Sequence, residues 1–121
     1  MMRDAKREIF NAERFRAQLA DNDLIKQLLD LFPEESNRHL EKAHEALKEN
    51  DAGGLYFEAM AMKGLAGNYL SIRAFAASSD LARVAEEGNL PSTAADDAFA
   101  KFEAEFKLLG DALEKFAANM R

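Results

Sequence analysis

Two histidines, His39 and His44, are the side chains of this chain best placed to do chemistry near neutral pH, because only imidazole has an ordinary pKa there. His44 borders an apolar stripe of Leu40, Ala43 and Leu47, and His39 lies on the flank beside Leu40. Five residues separate them, roughly 140° around a helix, so they do not converge on one ligand. Glu41 and His44 form a Glu-x-x-His pair, which di-iron carboxylate bundles use in duplicate. Here it occurs once, with no matching histidine on a second helix, so neither a metal site nor a cofactor is expected. Ser36, Ser71, Ser78, Ser79 and Ser92 stand in no nucleophile elbow. Gly53-Gly54 lies at a helix start but lacks the spacing of a phosphate loop. Glu34, Glu35, Glu86 and Glu87 read as solvated faces, and the chain has no cysteine, hence no thiol nucleophile or thiolate zinc site.

A different kind of signal comes from residues 51–71, DAGGLYFEAMAMKGLAGNYLS. Leu55, Ala59, Met62, Ala66 and Tyr69 recur at spacings of four, three, four and three, an apolar helical stripe suited to a core. Roughly opposite lie Tyr56, Met60, Lys63, Gly64 and Gly67. That set is odd for a solvated face, since glycine costs roughly 1 kcal/mol against alanine inside a helix. Two glycines on one face predict that something approaches the backbone closely. Met60 packing against the N-terminal helix or a dimer partner is the structural alternative to a docking role.

The elements that hold this stretch are helical throughout. Asn11 is the expected cap of a short helix through Ala20, and Asp21-Asn22-Asp23 breaks it and caps the next. Leu24, Ile25, Leu28, Leu29 and Phe32 form that second helix's first stripe, with a kink or short break expected at Pro33. Asp51 caps the third helix. The fourth takes Ile72, Phe75, Leu81, Ala82 and Ala85 as core candidates and ends at Gly88-Asn89. Phe99, Phe102, Phe106, Leu109, Leu113, Phe116 and Met120 then alternate spacings of three and four along the last helix. The expected fold is all-α: an antiparallel up-down four-helix bundle over residues 11–120, with a short additional N-terminal helix and a lead-in at residues 1–10.

Composition narrows the function classes. With 48% hydrophobic and 31% charged residues, the 121-residue chain reads as one globular domain. A net charge of −6 argues against nucleic acid as the main partner. No apolar run reaches the roughly 20 residues of a membrane span, and the N-terminus lacks a hydrophobic signal core. The cytoplasm is the expected compartment.

Residues 59–69, AMAMKGLAGNY, resemble the signature of histidine-containing phosphotransfer (HPt) domains, roughly Ala-His-x-Leu-Lys-Gly, a few small residues, then Asn-Leu-Gly. Lys63, Gly64 and Asn68 match outright, and Met62 mildly replaces leucine. The resemblance extends from Ile9 to Phe116 and implies the same bundle. It also implies a docking face of Tyr56, Met60, Lys63, Gly64, Gly67 and Asn68 for a response-regulator receiver domain or a hybrid sensor histidine kinase. In the family the lysine helps neutralise the phosphoryl group, and the glycine after it makes room for the partner.

One departure bears on mechanism: the phospho-accepting histidine falls at Met60. A thioether forms no comparable phosphoramidate, so transfer is expected to be lost while docking is retained. Leu70 replaces the glycine of the Asn-Leu-Gly turn, and Ala74 and Ala77 stand where larger apolar residues are common, with Ile72 and Phe75 expected to fill the volume. The resulting expectation is a monomeric two-component module that binds a receiver without relaying phosphate. An active phosphotransfer protein carrying methionine in place of its histidine, and a helical self-association or adaptor domain, are the alternatives.

Overall fold

The computed structural model describes residues 9–120 and is helical throughout, with no strand among the described residues. Five helices follow in order: α1 (Ala12–Leu19), α2 (Asn22–Lys48), α3 (Ala52–Asn68), α4 (Ile72–Glu87) and α5 (Thr93–Asn119). Most of the expected lead-in, residues 1–8, lies outside the described residues, but Ile9 and Phe10 pack against the core.

Local chemistry sets each boundary. The Asn11 carboxamide accepts a hydrogen bond from the Arg14 amide at 3.0 Å, and Asp21, Asp51, Ser71 and Ser92 cap the next four helices in the same way. Gly88 closes α4 in the left-handed conformation, at φ 74°. Helix α3 ends at Asn68 in a Schellman motif. The Ser71 amide reaches the Ala66 carbonyl at 3.0 Å and the Leu70 amide the Gly67 carbonyl at 3.1 Å. That motif needs a left-handed residue, and Leu70 supplies it at φ 57°. The glycine that the HPt signature carries here is thus replaced without loss of the turn's hydrogen bonds, although a leucine in this region costs roughly 1–2 kcal/mol.

Helix α2 packs on α1, α3 and α5, while α4 packs on α3 and α5. All five expected core positions of α3 are buried, as are Phe99, Phe102, Phe106, Leu109, Leu113 and Phe116 of α5; Met120 is half-buried. Of the kink or short break expected at Pro33, the break does not occur, because helix α2 runs unbroken through it. Phe32 and Ser36 on either side are buried, and their packing outweighs the lost backbone bond. Three further expectations fail. Leu24, Ile72 and Phe75 are exposed rather than core, and the volume between α3 and α4 is filled by Ala74, Ala77, Leu81, Ala82 and Ala85. Small side chains let the two helices approach closely, which leaves no room inside for Ile72 or Phe75.

Tyr69 joins three of the helices. Its ring stacks on Phe15 of α1 at 5.9 Å and meets Phe32 of α2 edge-on at 5.1 Å, while its hydroxyl donates to the Leu28 carbonyl. Burial, with a smaller contribution from the Glu35 carboxylate, pushes the Tyr69 phenol up from 10.0 to about 12. The folded state therefore holds this proton more tightly than the unfolded chain. Its stabilising contribution is complete below the unfolded value and is lost as pH rises between about 10 and 12. Denaturant titrations across that interval are expected to show a steeper loss of stability for the native chain than for Tyr69→Phe. Identical slopes would contradict the assignment.

Candidate functional site

Burying Leu55, Ala59, Met62, Ala66 and Tyr69 fixes the rotation of α3 and turns its opposite side outward. Tyr56, Met60, Gly64, Gly67 and Asn68 are all exposed, and Lys63 is half-buried at the edge. Met60 is 40% exposed. The Lys63 ammonium lies 5.0 Å from the centroid of the Phe75 ring on α4, which holds the cation at the α3–α4 margin. The six residues singled out in the sequence therefore share one surface.

Two glycines lie within that surface. A Cβ built at Gly64 or at Gly67 would meet nothing within 4 Å. Neither glycine is needed for packing among the described residues, and neither has a left-handed φ. Gly54 makes the contrast: a Cβ there would run into the Asp51 carboxylate that caps α3, so that glycine has a reason within the fold. Of the two structural alternatives, packing of Met60 against the N-terminal helix fails, since Met60 is 40% exposed and α1 buries Phe15 against Tyr69 and Phe116; packing against a dimer partner is left standing.

Sequence reasoning missed several residues of this surface. Phe57, 65% exposed, extends the apolar area at the start of α3, and Ile72 and Phe75 extend it onto α4. Their apolarity was legible, but the side of the helix they occupy depends on how closely α3 and α4 pack.

The histidines lie elsewhere, on different sides of α2. His39 Nδ1 sits 2.6 Å from a carboxylate oxygen of Glu58, a buried residue of α3. His44 is exposed and stacks on Phe99 of α5, with ring centroids 5.6 Å apart. Neither neighbours Met60, so neither takes over its position. A second buried carboxylate, Glu105, receives a two-pronged bond from Arg73 at 3.0 and 2.9 Å, tying α5 to α4. Both carboxylates left a trace in the sequence. Glu58 continues the spacing Leu55, Glu58, Met62, Leu65, and Glu105 lies between Phe102 and Leu109.

Among the described residues no group of three or more histidines, aspartates or glutamates converges to hold a metal ion. A concavity of about 680 Å³ forms a trough between α2 and α5, lined by Phe32, Phe106, Glu103, Asp111 and Glu114 among others. It contains no histidine and does not reach the α3 face. No described helix is long and apolar enough to cross a membrane. No family model, curated protein or solved structure matches the chain.

Because both glycines face open space, Gly64→Ala and Gly67→Ala are each expected to raise stability by about 1 kcal/mol through helix propensity alone. Urea unfolding checks this directly. A loss of stability in either variant would mean that the glycine serves internal packing.

Proposed function

We propose that the chain is an HPt-like four-helix, up-down bundle that docks response-regulator receiver domains, or hybrid kinases carrying them, without accepting phosphate itself. The observation that carries the reading is the pair Gly64 and Gly67, exposed on the α3 face with free space above them. Helix stability favours alanine at both positions, so their use is best explained by a partner that comes close to the backbone. The bundle itself is supported by the packing order, in which α2, α3, α4 and α5 each meet their sequence neighbours and α5 returns to α2.

On this reading the α3 face supplies three things. Tyr56, Phe57 and Met60 give apolar area, Gly64 and Gly67 give access, and Lys63 gives a positive charge on a chain whose net charge is −6. A receiver presents carboxylates around its phospho-accepting aspartate, and Lys63 is placed to meet them. Met60 removes the step that would follow, because a thioether sulfur has no nitrogen lone pair with which to form a phosphoramidate. Docking without transfer would make the protein a competitor of active phosphotransfer domains, or an adaptor in a two-component pathway of the cytoplasm. Such contacts are transient and bury less than roughly 1,200 Å² in total.

Binding measured against a panel of purified receiver domains tests the proposal. At least one receiver is expected to bind, and Lys63→Glu to weaken it by about tenfold. Binding by no receiver, or binding indifferent to Lys63→Glu, would sink the reading. Incubation with a phosphorylated receiver separates the inactive module from a substituted active one: label is expected on Met60→His and never on the native chain. The exposed apolar residues of α3 and α4 also favour a second reading, self-association. Light scattering that finds a dimer dissociated by Met60→Asp would select it.

A further inference from the structure

Beside the Met60 face, where α3 turns into α4, the surface folds inward to a groove of about 200 Å³ lined by Arg14, Gly67, Leu70, Ser71, Ile72 and Phe75. Three local features build it. The Ser71 hydroxyl donates to the Ile9 carbonyl at 2.8 Å, which draws the segment before α1 onto the turn. Phe15 is buried against Tyr69, and its neighbour Arg14 is thereby turned toward the same turn. Leu70 keeps its side chain at a backbone position that favours glycine, so the groove has an apolar wall where the usual turn residue would leave none.

Size and charge then limit what can enter. Small-molecule sites usually occupy roughly 300–1,000 Å³, and this groove falls below that range. It suits a single large side chain presented by a macromolecule. Two cations border it. Arg14 is one of its lining residues, and Lys63 stands over the ring of Phe75, which is another. Among the described residues neither cation has a carboxylate partner, although the chain carries 22 acidic residues against 16 lysines and arginines. An acidic chain with two unpaired cations beside an apolar groove is complementary to acid flanking an apolar side chain.

We infer that this groove is a second contact site, which takes one large apolar side chain from an acidic segment of a protein partner while Arg14 and Lys63 meet the flanking carboxylates. The site does not require the partner to be a receiver. It adds to the Met60 face a specificity determinant contributed by α1, an element outside the bundle proper.

The test follows the backbone amides of the whole isotope-labelled chain by NMR during titration with the peptide acetyl-Glu-Leu-Asp-Phe-Glu-amide. A control peptide carries lysine at the three acidic positions. Saturable shifts at Gly67, Leu70, Ser71 and Phe75 are expected with the acidic peptide only, and Arg14→Glu, an exposed substitution, should weaken them about fivefold. No saturable shift up to about 5 mM peptide, or an equal response to the control, would overturn the inference. So would the same amides shifting with inorganic phosphate alone, which would mark a simple anion site, or shifting on dilution without peptide, which would identify a second copy as the occupant. Receivers that bind through Lys63 while the groove stays silent would remove this inference and leave the proposed function intact. Groove binding with no receiver bound would do the reverse.

Discussion

Tyr69 is the contact on which the arrangement of α1, α2 and α3 depends. It ends the core stripe of α3, stacks on Phe15, abuts Phe32 and donates its hydroxyl proton to a carbonyl of α2. Each of these contacts restricts the rotation of α3 about its axis. With Tyr69, Ala66, Met62, Ala59 and Leu55 all facing inward, Met60 and the two exposed glycines have one direction left to face. Immediately after Tyr69 comes the Leu70 turn, so the same anchor also sets where α4 begins and where the groove lies.

Stability and use diverge on the outer side of α3. Everything on its inner side has a reason within the fold: close packing, the Asp51 cap, and the His39–Glu58 pair that satisfies a buried carboxylate. On the outer side the fold asks only for polar residues of good helix propensity, yet the chain has two glycines, Gly64 and Gly67, and two exposed apolar residues, Phe57 and Met60. A helix face that is worse than necessary for folding and more apolar than necessary for solubility is the expected form of an interaction surface. In the proposed reading Met60 separates the two halves of an HPt domain's task, keeping recognition and dropping chemistry.

Much of this was legible in the residues. The alternating three-and-four spacings of α3 and α5 identified their buried sides, and Asn11, Asp21, Asp51 and Gly88 marked helix ends. Helix period depends only on local geometry, so it can be read locally. What failed depended on distances between elements. Phe75 and Ile72 read as core because they are apolar, but alanines bring α3 and α4 too close to admit them. Pro33 read as a kink or a short break because its local penalty is known, while the burial of Phe32 and Ser36, within an unbroken helix, is not visible from sequence. The surface residues Tyr56 to Asn68 were legible as a set because they share one helix. Arg14 was not, because only the folding of α1 against Tyr69 brings it to the α3–α4 turn.

In the proposed reading the exposed glycines of α3 serve a partner and not the fold. The most direct measurement combines both quantities on one protein: the unfolding free energy of the Gly64→Ala/Gly67→Ala double variant and its affinity for a receiver domain bound by the native chain. Opposite signs are expected, with stability rising by about 2 kcal/mol and receiver binding falling by about tenfold or more. A more stable variant that binds as tightly as the native chain would contradict that reading.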